Sequence, residues 1–191
     1  MRVLRDVYGD GYFHGSGERW LDYGSGYGEF LEALGRESGG TLSRFGYEPN
    51  DVKAASARER GLEVSFDAAL LARSFHYISL LNVYSHLPNP PETLAELRER
   101  LEPGGELLLQ TGNFAELERG EIPTSLDLPD HLSFAGERLL RRVFEKAGLR
   151  VERVVRYPIF RPRRPLGERL RGKKREPSRG CAELWLRGRR A

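Results

Sequence analysis

The sequence predicts an α/β fold built on a doubly wound, mostly parallel sheet, and three observations carry that expectation. Short apolar runs alternate with segments of helical spacing along most of the chain. Trp20-Leu21-Asp22-Tyr23 passes through glycines 24, 26 and 28 into Phe30, Leu31 and Leu34, the pattern of a strand, a tight turn and a helix. Phe75 to Leu81 is nearly continuous apolar sequence, as a central parallel strand covered on both faces should be. At 191 residues the chain suits a single domain, 1–191, large enough to bury a core.

The elements follow in order. Residues 1–17 hold Tyr8, Tyr12 and Phe13 among glycines; they form either a flap that shields a reacting centre from water or a segment whose rings pack on the domain. The first strand ends at Asp22, and the first helix runs to about Gly35, with Gly39-Gly40 as a stop. Arg44 to Tyr47 is a second strand with Glu48 at its tip, Asp51 to Arg60 is helical in composition, and Gly61 closes it. Leu62 to Val64 is a minimal third strand, followed by a short helix from Ala68 to Ala72. Beyond Phe75–Leu81, Pro90-Pro91 opens a helix whose Leu94, Leu97 and Leu101 face the core. Pro103-Gly104-Gly105 turns the chain into Leu107-Leu108-Leu109, a fifth strand ending near Gln110 to Asn113. Gly120 to Pro129 is a polar loop placed to wall an acceptor pocket, Phe134 to Gly148 is helical, and Leu149 to Tyr157 alternates as a half-exposed strand. A basic, proline-bearing loop over 158–178 precedes a last strand at Cys181 to Leu186.

The glycine turn is built for a ligand to lie on. Glycines there allow positive φ and leave no Cβ between backbone and ligand. The spacing is Gly-x-Gly-x-Gly, and Glu29 stands in the first helical turn with Asp22 just before the glycines. A pyrophosphate at that helix N-terminus would meet two carboxylates, which makes a nicotinamide dinucleotide the least favoured occupant. S-adenosylmethionine fits, because it lacks phosphate and carries an ammonium and a sulfonium. Asp22 would hold its methionine end, with Gly24, Ser25, Gly26 and Gly28 along the ribose and thioether. Glu48, 20 residues past Gly28, stands where a doubly wound fold grips two ribose hydroxyls, or else caps the helix beginning near Asn50. Asn82, at the end of the fourth strand, faces the cofactor on topological grounds.

These residues, with three further segments, resemble the class I S-adenosylmethionine-dependent methyltransferases, in particular the broad branch that includes the ubiquinone-biosynthesis O-methyltransferases. The segments are Phe75 to Pro90, Leu94 to Leu101 with Glu102-Pro103-Gly104-Gly105, and Pro129-Asp130-His131-Leu132-Ser133-Phe134 with Ala147-Gly148-Leu149. The resemblance spans roughly Gly17 to Val155. It implies a Rossmann-like sheet of seven strands whose last strand is antiparallel and lies at the sheet edge. It also implies that Asp67 accepts a hydrogen bond from the adenine amino group; Phe66 stands where the family usually has glycine, and Asp67 otherwise N-caps the helix after it. The implied reaction is transfer of a methyl group to a small-molecule acceptor by in-line displacement, in which positioning supplies much of the rate.

His86 and His131 are the neutral-pH base candidates, each with a structural histidine as the rival account. Tyr84 and Asn113 are candidates for the acceptor side. No His/Asp/Glu set has metal-ligand spacing, so no metal is expected. The single Cys181 excludes an internal disulfide or a cysteine metal cluster. No apolar run reaches a membrane span, the N-terminal residues lack a signal peptide's apolar core, and a cytoplasmic monomer or homodimer is expected. The net charge of +3 is uneven: twelve Lys/Arg against three Asp/Glu lie from Arg161 onward. That leaves two rivals to the small-molecule reading. One is an RNA methyltransferase using 161–179 as a phosphate clamp, and the other is a degenerate, cofactor-binding regulatory domain.

Overall fold

A computed structural model of the chain describes residues 2–9, 17–117, 131–158 and 181–190. Its strands are β1 (Arg19–Tyr23), β2 (Ser43–Tyr47), β3 (Val64–Ser65), β4 (Phe75–Leu81), β5 (Leu101–Gly112), β6 (Leu149–Pro158) and β7 (Cys181–Arg190). They form one sheet in the order β3-β2-β1-β4-β5-β7-β6. β1 pairs in parallel with both β2 and β4, so the strand order reverses beside β1 and opens a crevice at the carboxyl ends of the strands.

The helices are α1 (Arg2–Tyr8), α2 (Glu29–Glu37), α3 (Asp51–Glu59), α4 (Pro90–Glu99) and α5 (Glu137–Lys146). Three of them show a local reason for where they start. α2 begins at Gly28, whose φ of 88° is left-handed; α3 is capped by Asn50, whose side chain accepts from the Lys53 N–H; and α4 opens on prolines, which need no N–H partner there. Alternation along the strands then fills two layers. Leu21, Ile78, Leu80, Leu107 and Leu109 pack with Leu94 and Leu97 of α4 and Leu140 and Phe144 of α5. Trp20 and Leu108 face the other way, onto Leu31 and Leu34 of α2, Ala54 and Ala57 of α3, and Leu4 and Val7 of α1. Each fully buried leucine or phenylalanine in these layers contributes about 1.5–3 kcal/mol.

One expectation changes. The last strand is antiparallel to its neighbours, but it is inserted between β5 and β6, and β6 is the edge. The reason lies in the side chains. Leu184, Trp185 and Leu186 are consecutively buried and need cover on both faces, whereas β6 carries exposed Arg150, Glu152, Arg153 and Arg156, which suit an edge. The N-terminal residues begin with a helix, and of the two accounts of their rings Tyr8 follows the packing one, against Trp20 and Tyr77 with ring centroids 5.9 and 6.1 Å away. Tyr12 and Phe13, the loop Gly120 to Pro129 and most of the basic loop 158–178 lie outside the described residues.

Candidate cofactor and acceptor site

The glycine turn links β1 to α2. Gly24, Gly26 and Gly28 all have positive φ, at 78°, 56° and 88°. At Gly24 a Cβ would lie 2.4 Å from Val83 Cγ2, whereas at Gly26 it would meet nothing within 4 Å. The two positions therefore separate. Gly24→Ala is expected to cost about 2–4 kcal/mol in urea unfolding, from left-handed strain plus overlap. Gly26→Ala is expected to cost only about 1–2 kcal/mol while placing a methyl group on the open face where a ligand would lie.

Asp22 stands under this turn, 2% exposed. Strand register sets it between Gly46 of β2 and Ser79 of β4. Its Oδ1 accepts from Ser79 Oγ at 2.6 Å, and Ser79 Oγ accepts from Trp20 Nε1 at 2.9 Å. Burial pushes the Asp22 carboxyl up to about 7; the Ser79 hydrogen bond pulls it down, and the nearby charges of Glu48 and Glu29 push it further up. Glu48 sits at the tip of β2, also buried. Its Oε2 accepts from the Gly26 N–H at 2.8 Å and its Oε1 from the Asn50 N–H at 2.9 Å, so the acid ties the glycine turn to the start of α3. The cap of α3 is Asn50 and not Glu48. Each Glu48 oxygen keeps acceptor capacity for a vicinal diol.

The remaining cofactor candidates are placed less uniformly. The Ser25 hydroxyl is buried with no hydrogen-bond partner among the described residues, and a Cβ on Gly46 would come within 2.6 Å of it; its backbone N–H is already donated to Tyr47 O. Ser25 therefore shapes the turn from beneath. Asp67 is exposed and its Oδ1 accepts from the Ala69 N–H at 2.8 Å, which is the capping role; Oδ2 is left over for a donor such as an adenine amino group. Asn82 is the one non-glycine residue with positive φ among the described residues, at 58°. Its N–H is shared between Gln110 O at 3.1 Å and Gln110 Oε1 at 2.8 Å. Asparagine is one of the few side chains that take up this left-handed conformation at little cost, which suits it to the tight turn at the strand tip.

Beyond Asn82 lies a cavity of about 570 Å³ at the ends of β4 and β5. Its lining includes the polar Asn82, Gln110, Thr111 and Glu183 and the rings of His86, His131, Phe114 and Phe134. The two histidine rings stand 4.8 Å apart, centroid to centroid, and His131 stacks on Phe134 at 5.9 Å. The pairing is imposed by backbone: the Leu132 and Ser133 N–H groups both donate to Ser85 O, at 2.7 and 3.3 Å. Tyr84 does not reach this cavity; its 3₁₀ turn points the ring into the core, where it is 3% exposed. Asn113 is 6% exposed, and its Oδ1 is buried without a partner among the described residues, next to the cavity residues Gly112 and Phe114. Ser79, Gln110, Thr111, Phe114 and Glu183 were not singled out by sequence; Phe114 and Glu183 carry no local pattern, and the others follow only from strand register.

The donor set suits S-adenosylmethionine. Two buried acids, Asp22 and Glu48, flank an open glycine face, and the arrangement favours an ammonium and a diol over a phosphate. Comparison with known proteins agrees. A family model described as a methyltransferase domain matches residues 9–154. The ubiquinone biosynthesis O-methyltransferase of Salmonella arizonae is 30% identical over 106 residues, covering 51% of this chain and 43% of that protein. The chain thus spans less than half the length of the curated relatives it matches. A chain of the complex between the Haloferax volcanii Trm112 methyltransferase activator and a methyltransferase shares the fold with a TM-score of 0.72 at 18% identity, over 98% of this chain and 87% of that one. An S-adenosylmethionine-dependent methyltransferase of Thermotoga maritima does so with a TM-score of 0.64 at 20% identity, over 91% and 82%. With most of its length matched by the family model and its sheet shared with these structures, the chain belongs to the class I S-adenosylmethionine-dependent methyltransferases.

Proposed function

We propose that this protein methylates a small, largely uncharged acceptor held in the cavity beside Asn82, with His86 and His131 as its proton-accepting pair. The cavity carries the reading. Its volume suits a small ligand, it lies at the carboxyl ends of β4 and β5, and its lining among the described residues includes no Lys or Arg to recruit an anionic acceptor. Phe114, Phe134 and the imidazoles offer ring faces, while Gln110, Thr111 and Glu183 offer hydrogen bonds that would orient a flat, hydroxyl-bearing molecule. Bound S-adenosylmethionine supplies a methyl group on a sulfonium, already activated for in-line displacement by a nucleophile.

The chain's own residues do the rest. Asp22 takes the ammonium end, Glu48 the ribose hydroxyls and Asp67 the adenine amino group, with Gly26 leaving room above the turn. The histidine pair removes a hydroxyl proton, which typically contributes about 10²–10⁴-fold. An RNA acceptor would rest on segment 161–179, which lies outside the described residues, and no described feature favours it. A degenerate binding domain is opposed by the retention of Asp22, the three glycines and Glu48 together.

Calorimetric titration tests the cofactor half. S-adenosylmethionine and S-adenosylhomocysteine are expected to bind and NADH is not; Glu48→Gln is expected to weaken both sulfur ligands at least tenfold, one diol hydrogen bond being worth about 1.5 kcal/mol or more. A mass-spectrometric screen of hydroxylated ring compounds then looks for the methylated product. Binding of neither sulfur ligand would sink the reading.

A further inference from the structure

The hydrogen-bonded line beneath the glycine turn has a fixed direction. An indole N–H can only donate, and Trp20 Nε1 gives its proton to Ser79 Oγ at 2.9 Å. The Ser79 hydroxyl must then point its own proton elsewhere. Asp22 Oδ1 lies at 2.6 Å, and the rival acceptor, Leu21 O, is at 3.5 Å. Proton donation therefore runs from indole to hydroxyl to carboxylate. Trp20 cannot turn out of this line, because it is 0% exposed and clamped by Tyr77 at 4.8 Å, Tyr8 at 5.9 Å and Phe30 at 5.9 Å. Ser79 is 0% exposed as well.

The geometry points to Ser79, oriented by Trp20, as a positioning residue that holds the Asp22 carboxylate ready for the ammonium end of the cofactor. The inference rests on the cofactor reading above and goes beyond it, because Ser79 sits under Asp22 and is not itself assigned to any ligand. Asp22 is otherwise in poor surroundings for a negative charge. Glu48 faces it from the tip of β2 and Glu29 from the first turn of α2, both acidic, and burial opposes ionisation further. From β4 the Ser79 hydroxyl alone favours the charged form. An O–H donor at 2.6 Å has the short length of a charge-assisted bond and strengthens as the carboxylate becomes ionised. It also fixes which oxygen is occupied, leaving Oδ2 for the incoming ligand.

The test compares two ligands that differ only at the amino-acid end. S-adenosylhomocysteine carries the ammonium; 5′-methylthioadenosine shares the adenosine and thioether but lacks it. Calorimetric affinities are measured between about pH 6 and pH 8, where Asp22 changes charge, for the wild type, Ser79→Ala and Trp20→Phe. In Ser79→Ala, S-adenosylhomocysteine binding is expected to weaken about tenfold or more at pH 7. The midpoint of its pH dependence should move up by about one unit or more, the worth of a lost hydrogen bond to a charged group. Binding of 5′-methylthioadenosine should stay within about twofold, since a tenfold change needs 1.4 kcal/mol that this ligand never draws on. Trp20→Phe keeps the ring and frees the hydroxyl to rotate, so it should fall between the two. Equal weakening of both ligands would mark Ser79 as merely structural and overturn the inference, as would an unmoved pH midpoint. Wild-type protein that binds neither ligand overturns the cofactor reading itself, which separates that failure from this one.

Discussion

Asp22→Asn is expected to melt several degrees above the wild type at pH 8 and to lose S-adenosylmethionine binding in the same step. The Asp22 carboxyl is moved from 3.8 to about 7 in the fold, mainly by burial. About three units at 1.36 kcal/mol each set an upper value near 4 kcal/mol for holding this charge in the ligand-free protein. The sign follows from proton counts. Between about pH 4 and pH 7 the folded protein keeps a proton on Asp22 that the unfolded chain has released, so wild-type stability falls as pH rises through that window. Above pH 7 both states are ionised and the full cost is present. Asparagine does not titrate and still offers Ser79 an acceptor. Its advantage should therefore be near zero at about pH 4, grow to about 2–4 kcal/mol above pH 7, and read as several degrees in a protein of this size. Thermal scans across that range check it; a difference independent of pH would show that Asp22 is not the strained group. That outcome would mark the carboxylate as a group kept at the expense of stability, as the proposed ammonium contact requires.

Replacing His86 or His131 by alanine is expected to lower the methyl-transfer rate by about 10²–10⁴-fold while leaving S-adenosylhomocysteine affinity within about twofold. The rings share one cavity and stand 4.8 Å apart, held there by the Ser85 carbonyl. Residues that act as a unit are not additive, so the double variant should be little worse than the poorer single one. Single-turnover assays with the acceptor found in the screen, at saturating cofactor, give the comparison. Two independent and multiplying losses would mean that the imidazoles do separate jobs, one positioning the acceptor and one taking the proton. No loss in either variant would return both residues to a structural role.

What the sequence disclosed divides along a physical line. The strand-turn-helix at Asp22, the acid at the tip of β2 and the buried run Phe75–Leu81 were legible, because each is a local pattern of burial, glycine and charge. The capping role of Asp67 was legible as well, from the short helix that follows it. The place of β7 was not legible, since pairing partners are settled by distant strands; only the triplet Leu184, Trp185 and Leu186 hinted that it needed two neighbours. Tyr84 is not legible in the same way, because its place after a strand end suggests an outward ring while the 3₁₀ turn there aims the ring inward. Ser79 was invisible for the opposite reason. A serine in an apolar strand carries no signal until register sets it against a residue 57 positions away.

The insertion of β7 between β5 and β6 also sets an order of events during synthesis. Until residues 181–190 have left the ribosome, neither the free edge of β5 nor β6 has a strand to pair with among the described residues. The switch-point half of the sheet, β1 to β4 with the glycine turn and both acids, needs none of that sequence to complete its own ladders. A nascent chain would therefore present an open apolar edge along Leu107, Leu108 and Leu109 for as long as the intervening residues are being made, and unpaired edges of that kind invite association between chains. The last strand to arrive is the one that closes this edge, and it brings Glu183 to the wall of the cavity beside Asn82 as it does so.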